Sequence, residues 1–208
     1  MTQAQLERQA LCDTLLAADP AAPTLCEGWS VLDLAAHLVV RERRPDAAAG
    51  LVVPPLAGRL ERITAETARL GLPRLVELLR AGPPFWSPAR VPAVDSVVNL
   101  AELVVHHEDV RRAVGASPRQ DVPELQDAVW ASLRQASLVA LGTVRVPVVA
   151  VREDGRRQVL RPGHHPVVLR GEPVELLLRL FGRTPQARVE VDGPSLSVTR
   201  FEGSRTGV

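Results

Sequence analysis

Apolar side chains recur at three- and four-residue intervals through the first two thirds of the chain, which is the signature of amphipathic helices. Leu6, Ala10, Leu11, Leu15 and Leu16 predict a helix over residues 3–18, closed by Asp19-Pro20. A loop follows from Pro23 to Trp29. Ser30 with Asp33 three positions on then resembles a capping box that uses the shorter acid, so a second helix starts near Val31. It carries His37 on its second turn among Leu34, Ala35, Ala36 and Leu38, and frays around Arg43-Arg44-Pro45. Further helices are predicted over residues 56–70 and 73–81, the latter with Pro73 in the favoured first turn. Gly82-Pro83-Pro84-Phe85-Trp86-Ser87-Pro88 reads as a rigid loop. Helical spacing resumes from Asp95 to Val114, stops at Gly115, and returns over 122–141.

The pattern changes after Gly142. Arg145 to Arg152 is β-branched and apolar, Glu153-Asp154-Gly155 is a turn, and Arg157 to Leu160 suits a hairpin partner. Pro166 to Arg170 predicts a third strand and Pro173 to Phe181 a short helix ending at Gly182. Arg188 to Asp192 and Leu196 to Phe201 predict further strands. The expected architecture is α+β: an antiparallel helical bundle over residues 1–141, then a small α+β domain over 143–208.

At 208 residues, with 46% hydrophobic and 24% charged residues, the chain has an ordinary globular composition. A formal net charge of +1 supplies no electrostatic case for nucleic acid or a membrane surface. Every basic residue is Arg, and Ala, Val and Leu abound, as in a bacterial protein from GC-rich DNA. The N-terminus is polar, without the apolar run of a signal peptide, and no apolar stretch reaches the roughly 18 residues of a spanning helix. A cytoplasmic protein is expected. Its two cysteines, Cys12 and Cys26, are then reduced thiols, Cys26 in a loop just before a helix.

Candidate chemistry centres on Glu102 and His106. At i and i+4 their side chains lie one helical turn apart on one face, about 5–6 Å between Cβ atoms, so they can converge on one ion or bond to each other. His37, on an earlier helix, is a possible third ligand. Two imidazoles and a carboxylate leave a coordination position open to water or substrate, whereas closed structural sites usually draw on more cysteines than this chain has. Asp109, three residues after His106, can hold a ligand imidazole from behind. His107 points about 100° away from His106 and is not expected to share its ion. Glu108, Arg111 and Arg112 read as a solvated charged face, with Glu108 and Arg112 a surface pair. His164-His165, between Pro162-Gly163 and Pro166, reads as a polar turn rather than a second metal site, because adjacent strand residues face opposite ways. No phosphate-binding glycine loop and no Gly-x-Ser-x-Gly elbow is present.

At Cys26-Glu27-Gly28-Trp29-Ser30-Val31-Leu32-Asp33-Leu34-Ala35-Ala36-His37-Leu38 the chain resembles the N-terminal bundle of mycothiol-dependent maleylpyruvate isomerase-like proteins, relatives of the DinB-like metal-binding four-helix bundles. The shared pattern is Trp29-Ser30, Asp33 and His37, then Glu102 and His106 far downstream. The run from His106 to Ala113 is similar to an actinobacterial subgroup known as metal-binding, and Gly171 to Arg183 to the small C-terminal domain of the same proteins. The resemblance implies a DinB-like four-helix bundle, a divalent metal, usually zinc, held by His37, Glu102 and His106, and mycothiol as a co-substrate thiol. It further implies thiol addition followed by isomerisation or S-transfer on a small electrophile. Arg179 or Arg183 are candidates to pair with a substrate carboxylate or to be solvated. The alternatives are a non-catalytic metal- or small-molecule-binding protein and a structural metal.

Overall fold

A computed structural model describes residues 1–44, 57–85, 99–119, 121–204 and 206–207. Its contacts divide the chain into two compact units, Met1–Pro118 and Arg119–Val208.

In the first unit, α1 (Gln3–Ala17) starts at a reciprocal cap in which the Gln5 amide donates to Thr2 Oγ1 (3.2 Å) and the Thr2 amide donates to Gln5 Oε1 (3.0 Å). The buried stripe of α1 is Ala4, Glu7, Arg8, Leu11, Cys12 and Leu15. Leu6 and Leu16, which the apolar pattern placed inward, are exposed. Two charged residues take the inward positions because each finds a buried partner, Arg8 on Glu42 at 2.6 Å and Glu7 on His107 at 2.8 Å.

The second helix, α2 (Val31–Arg43), begins at the expected box: the Asp33 amide donates to Ser30 Oγ (3.2 Å) and the Ser30 amide to Asp33 Oδ2 (3.0 Å). Next come α3 (Ala57–Ala68), α4 (Leu72–Arg80) with Pro73 in its first turn, and α5 (Leu100–Ala113). Residues 95–98 of the helix expected from Asp95 to Val114, Leu56, Pro45, and the Trp86-Ser87-Pro88 end of the proline-rich loop lie outside the described residues. Packing runs α1 on α4 and α5, and α2 on α3 and α4. Val40 of α2 and Ile63 of α3 form one buried contact, flanked by Leu60.

In the second unit, α6 (Pro123–Ala140) packs on α7 (Pro173–Leu180) and on strand β2. The sequence pattern set this helix with the bundle; its packing partners are those of the α+β unit. The sheet has the order β2-β1-β3-β4, from β1 (Val148–Val151), β2 (Arg157–Arg161), β3 (Val167–Arg170) and β4 (Glu190–Asp192). β1 and β2 form the expected antiparallel hairpin, β1 and β3 run parallel, and β3 and β4 antiparallel.

One element differs in kind. Leu196 to Phe201, read as a strand, lies within helix α8 (Ser195–Glu202), whose turns are closed by Val198 N–H on Pro194 O (3.0 Å) and Gly203 N–H on Thr199 O (3.1 Å). Gly193-Pro194 ends β4. A single residue of the new segment, Phe201, is buried, so no alternating face existed to support a strand, and a short apolar run does not by periodicity choose between the two. Among the described residues no helix is long and apolar enough to cross a membrane.

Candidate metal centre

Three pieces of the first unit meet here. The loop before α2 folds back on itself, with Thr24 N–H on Trp29 O (3.0 Å), Trp29 N–H on Cys26 O (3.0 Å), and Gly28 at φ 77°, a left-handed backbone that glycine adopts without a Cβ clash. Leu25 N–H donates to Asp109 O (3.1 Å), tying the loop to α5. α2 then presents His37, and α5 presents Glu102, His106 and Asp109 one turn apart.

The three expected ligands come together. One donor atom each from His37, Glu102 and His106 lie mutually within 4.8 Å. His106 Nε2 is 3.5 Å from Glu102 Oε2, and the two imidazoles stand edge to face with centroids 5.4 Å apart. Trp29 covers His37 at 4.8 Å between ring centroids. His37 and His106 are 7% and 8% exposed, and Glu102 is half-buried, so the cluster opens on the carboxylate side. Behind it, His106 Nδ1 is 2.9 Å from Asp109 Oδ2, an oxygen that also accepts the Cys26 thiol at 3.2 Å. This is the carboxylate–histidine arrangement that orients a metal-ligating ring through its second nitrogen.

Electrostatics divide the three ligands. Burial, aided by the nearby His106, drives the His37 pKa down to about 3, so its ring is neutral and keeps a lone pair to donate. For Glu102 burial works the other way, yet its bond to His106 and the Arg41 guanidinium outweigh it and hold the carboxyl down at about 2. Burial also opposes a charged His106, but bonds to Asp109, Cys26 and Glu102 prevail and raise it well above the ordinary imidazole value. Two ligands are therefore in metal-binding protonation states at neutral pH. The third holds a proton, lying between two carboxylates where a cation is favoured. Two imidazoles and a carboxylate are a donor set of the kind that suits a divalent ion of borderline softness.

Sequence reasoning did not single out Arg41, which lies 3.5 Å from Glu102 Oε2 and also donates to Asn99 Oδ1 (3.0 Å). Its position one turn after His37, on the same face of α2, was the available signal. The Cys26 bond to Asp109 joins residues 83 positions apart and had no local signature. Glu108 and Arg112 do pair, at 2.5 Å, but the pair is buried, with Glu108 fully enclosed, and the expectation of a solvated face is corrected: Arg111, at 2.7 Å, helps satisfy the same carboxylate. His107 turns away as expected, its Nδ1 2.8 Å from Glu7 and its Nε2 2.8 Å from Thr14. In the second unit, Arg179 is buried against Glu202 (2.8 Å) and over the Phe201 ring (4.7 Å), and Arg183 donates to Phe181 O (2.6 Å).

No family model matches the chain, and no curated protein matches it by sequence. Solved structures do. The crystal structure of the mycothiol-dependent maleylpyruvate isomerase aligns with a TM-score of 0.54 at 17% identity, covering 93% of this chain and 90% of that one. A histidine-to-alanine mutant of that isomerase aligns with the same TM-score and coverage at 16% identity. At such identities the likeness is one of fold, and it extends over nearly the whole chain.

Proposed function

We propose that this protein binds a divalent metal ion through His37, Glu102 and His106 and uses a small-molecule thiol of the mycothiol type in an isomerase or S-transferase reaction. The convergence of three donor atoms within 4.8 Å, with Asp109 steadying the middle ring, carries the reading. Likeness of fold to a mycothiol-dependent isomerase supports the thiol. Zinc suits two imidazoles and one carboxylate with a position left open. Such an ion supplies Lewis acidity, which favours the thiolate form of a thiol brought to it. The chain's own residues do the rest. Asp109 fixes the His106 tautomer so that Nε2 faces the triad, Trp29 closes the wall beside His37, and Arg41 keeps Glu102 ionised and offers a cation to an anionic substrate at the open side. A cytoplasmic setting, where thiols stay reduced, accords with this chemistry.

A second reading, a metal-binding protein without catalysis, is favoured by one observation. The ionisable groups bordering the triad are already engaged, Arg41 with Glu102 and Asn99, and Asp109 with His106 and Cys26.

Elemental analysis of the purified protein beside a His37→Ala/His106→Ala variant tests both. About one equivalent of metal in the wild type and little in the variant is expected. Turnover of mycothiol with an electrophile such as maleylpyruvate, abolished in the variant, then separates the enzyme from the binder. Little metal in the wild type even after reconstitution sinks both readings.

A further inference from the structure

The second unit contains a cavity of about 570 Å³ built wholly from its own residues: the segment leading into β1, the turn between β2 and β3, and α8. Its volume lies in the range of small-molecule sites, roughly 300–1,000 Å³. Arg145, Arg200, His164, His165, Val146 and Leu196 are among the residues that line it, and among the described residues no acid does. Within the described residues neither the Arg145 nor the Arg200 guanidinium has a hydrogen-bond or ion-pair partner. Some arginines of the same unit are ion-paired, Arg152 on Asp127, Arg156 on Asp154 and Arg179 on Glu202. Two unengaged guanidiniums lining one concavity without a described acid offer two positive charges to a single anion.

The walls are held in place before any ligand arrives. Gly163, at φ 147°, approaches Pro147 so closely that a Cβ would come within 2.4 Å of the proline ring, so the histidine turn is seated directly on the segment leading into β1. A Cβ on Gly193 would likewise stand 2.9 Å from Pro166 O, which fixes the entry to α8 against the end of the same turn. His165 adopts the left-handed backbone, φ 56°, uncommon for a residue with a side chain, and its carbonyl accepts from Ser197 Oγ of α8 at 2.9 Å. The three segments thus hold their backbones at set positions, which lowers the ordering cost of binding.

We infer that this cavity binds a small organic anion, with Arg145 and Arg200 gripping a phosphate or carboxylate head and Val146 and Leu196 meeting its apolar body. The inference stands apart from the metal reading, since it uses none of the same residues.

The full-length chain is titrated calorimetrically at low salt with phenyl phosphate, benzoate and inorganic phosphate, as wild type, Arg145→Ala and Arg200→Ala. Both arginines are exposed and unpaired, so far-UV circular dichroism should show the variants folded. Expected is saturable binding of an aromatic anion, weakened roughly tenfold or more in each variant and further by added salt. Preference for phenyl phosphate over benzoate assigns a phosphate head, and the reverse a carboxylate. Absence of saturation at millimolar concentration for both aromatic anions overturns the proposal. So does binding equal in wild type and variants, or inorganic phosphate bound as tightly as phenyl phosphate.

Discussion

His106 and His107 are neighbours on one helix, both almost fully buried, and they face two different kinds of surroundings. His106 turns toward His37 of α2 and toward Glu102 on its own helix, so that one ligand atom from each of the three lies within 4.8 Å of the others. His107 turns toward α1, where Glu7 and Thr14 take both of its nitrogens at 2.8 Å. The second histidine is saturated and clamps two helices; the first is saturated on one side and poised on the other. Adjacent identical residues thus acquire separate roles from the helix each one faces, because a turn of 100° per residue sends them to different neighbours.

Breaking the clamp should have the largest effect on stability. His107→Ala removes one partner of a buried Glu7 and leaves a hole between α1 and α5, so a loss of about 3 kcal/mol in denaturant unfolding is expected, with metal content per folded molecule unchanged. His106→Ala should do the reverse, losing the metal while unfolding of the metal-free protein changes far less. Equal effects of the two substitutions on both measurements would erase the distinction.

Asp109→Asn sharpens the comparison from behind. The three ligands stay, but the carboxylate orienting His106 becomes a neutral amide, and metal affinity should fall about 10- to 100-fold in a competition titration with a chromophoric chelator. No change would mean that Asp109 does not steady the ring.

The protonation states predict a pH dependence. His106 is held protonated well above the ordinary imidazole range, so an incoming ion displaces one proton, and affinity should rise about tenfold per pH unit until the His106 pKa is reached. His37, with its pKa near 3, adds no such competition above mildly acidic pH. The metal-free protein carries the opposite sign. A raised folded-state pKa stabilises fully below the unfolded value of about 6.5, and that contribution is lost as pH rises from there through the raised value. Metal should therefore increase the melting temperature more at alkaline than at acidic pH.

The smallest effect is expected at Cys26. Its thiol donates to Asp109 at the rear of the site, so Cys26→Ser, which keeps a donor, should change metal affinity by only a few fold. Thiol labelling of the folded protein should modify half-exposed Cys26 well before Cys12, which is buried and whose pKa burial raises to about 11.

The helices of the first unit were legible because their signals are local: the Ser30–Asp33 box, Pro73 in a first turn, Gly115 at an end. The triad was legible in part for the same reason, since Glu102 and His106 lie on one face by spacing alone. His37 required the likeness of its surrounding motif, because nothing in a helix pattern states which other helix it will meet. Leu196 to Phe201 went astray where the local signal was ambiguous and no buried face was available to decide it.

Sequence alone determined where the chain turns, caps and stops, and which residue types can serve as ligands, because those properties depend on neighbours within about one helical turn. Only the tertiary structure decided that α6 packs with the sheet and that Glu7, Arg8 and Glu108 are buried. It also decided that Arg41 and Cys26 border the cluster of His37, Glu102 and His106. Those outcomes depend on which distant group each charge meets. A buried ion is tolerated only when such a partner arrives, and no local pattern encodes its arrival.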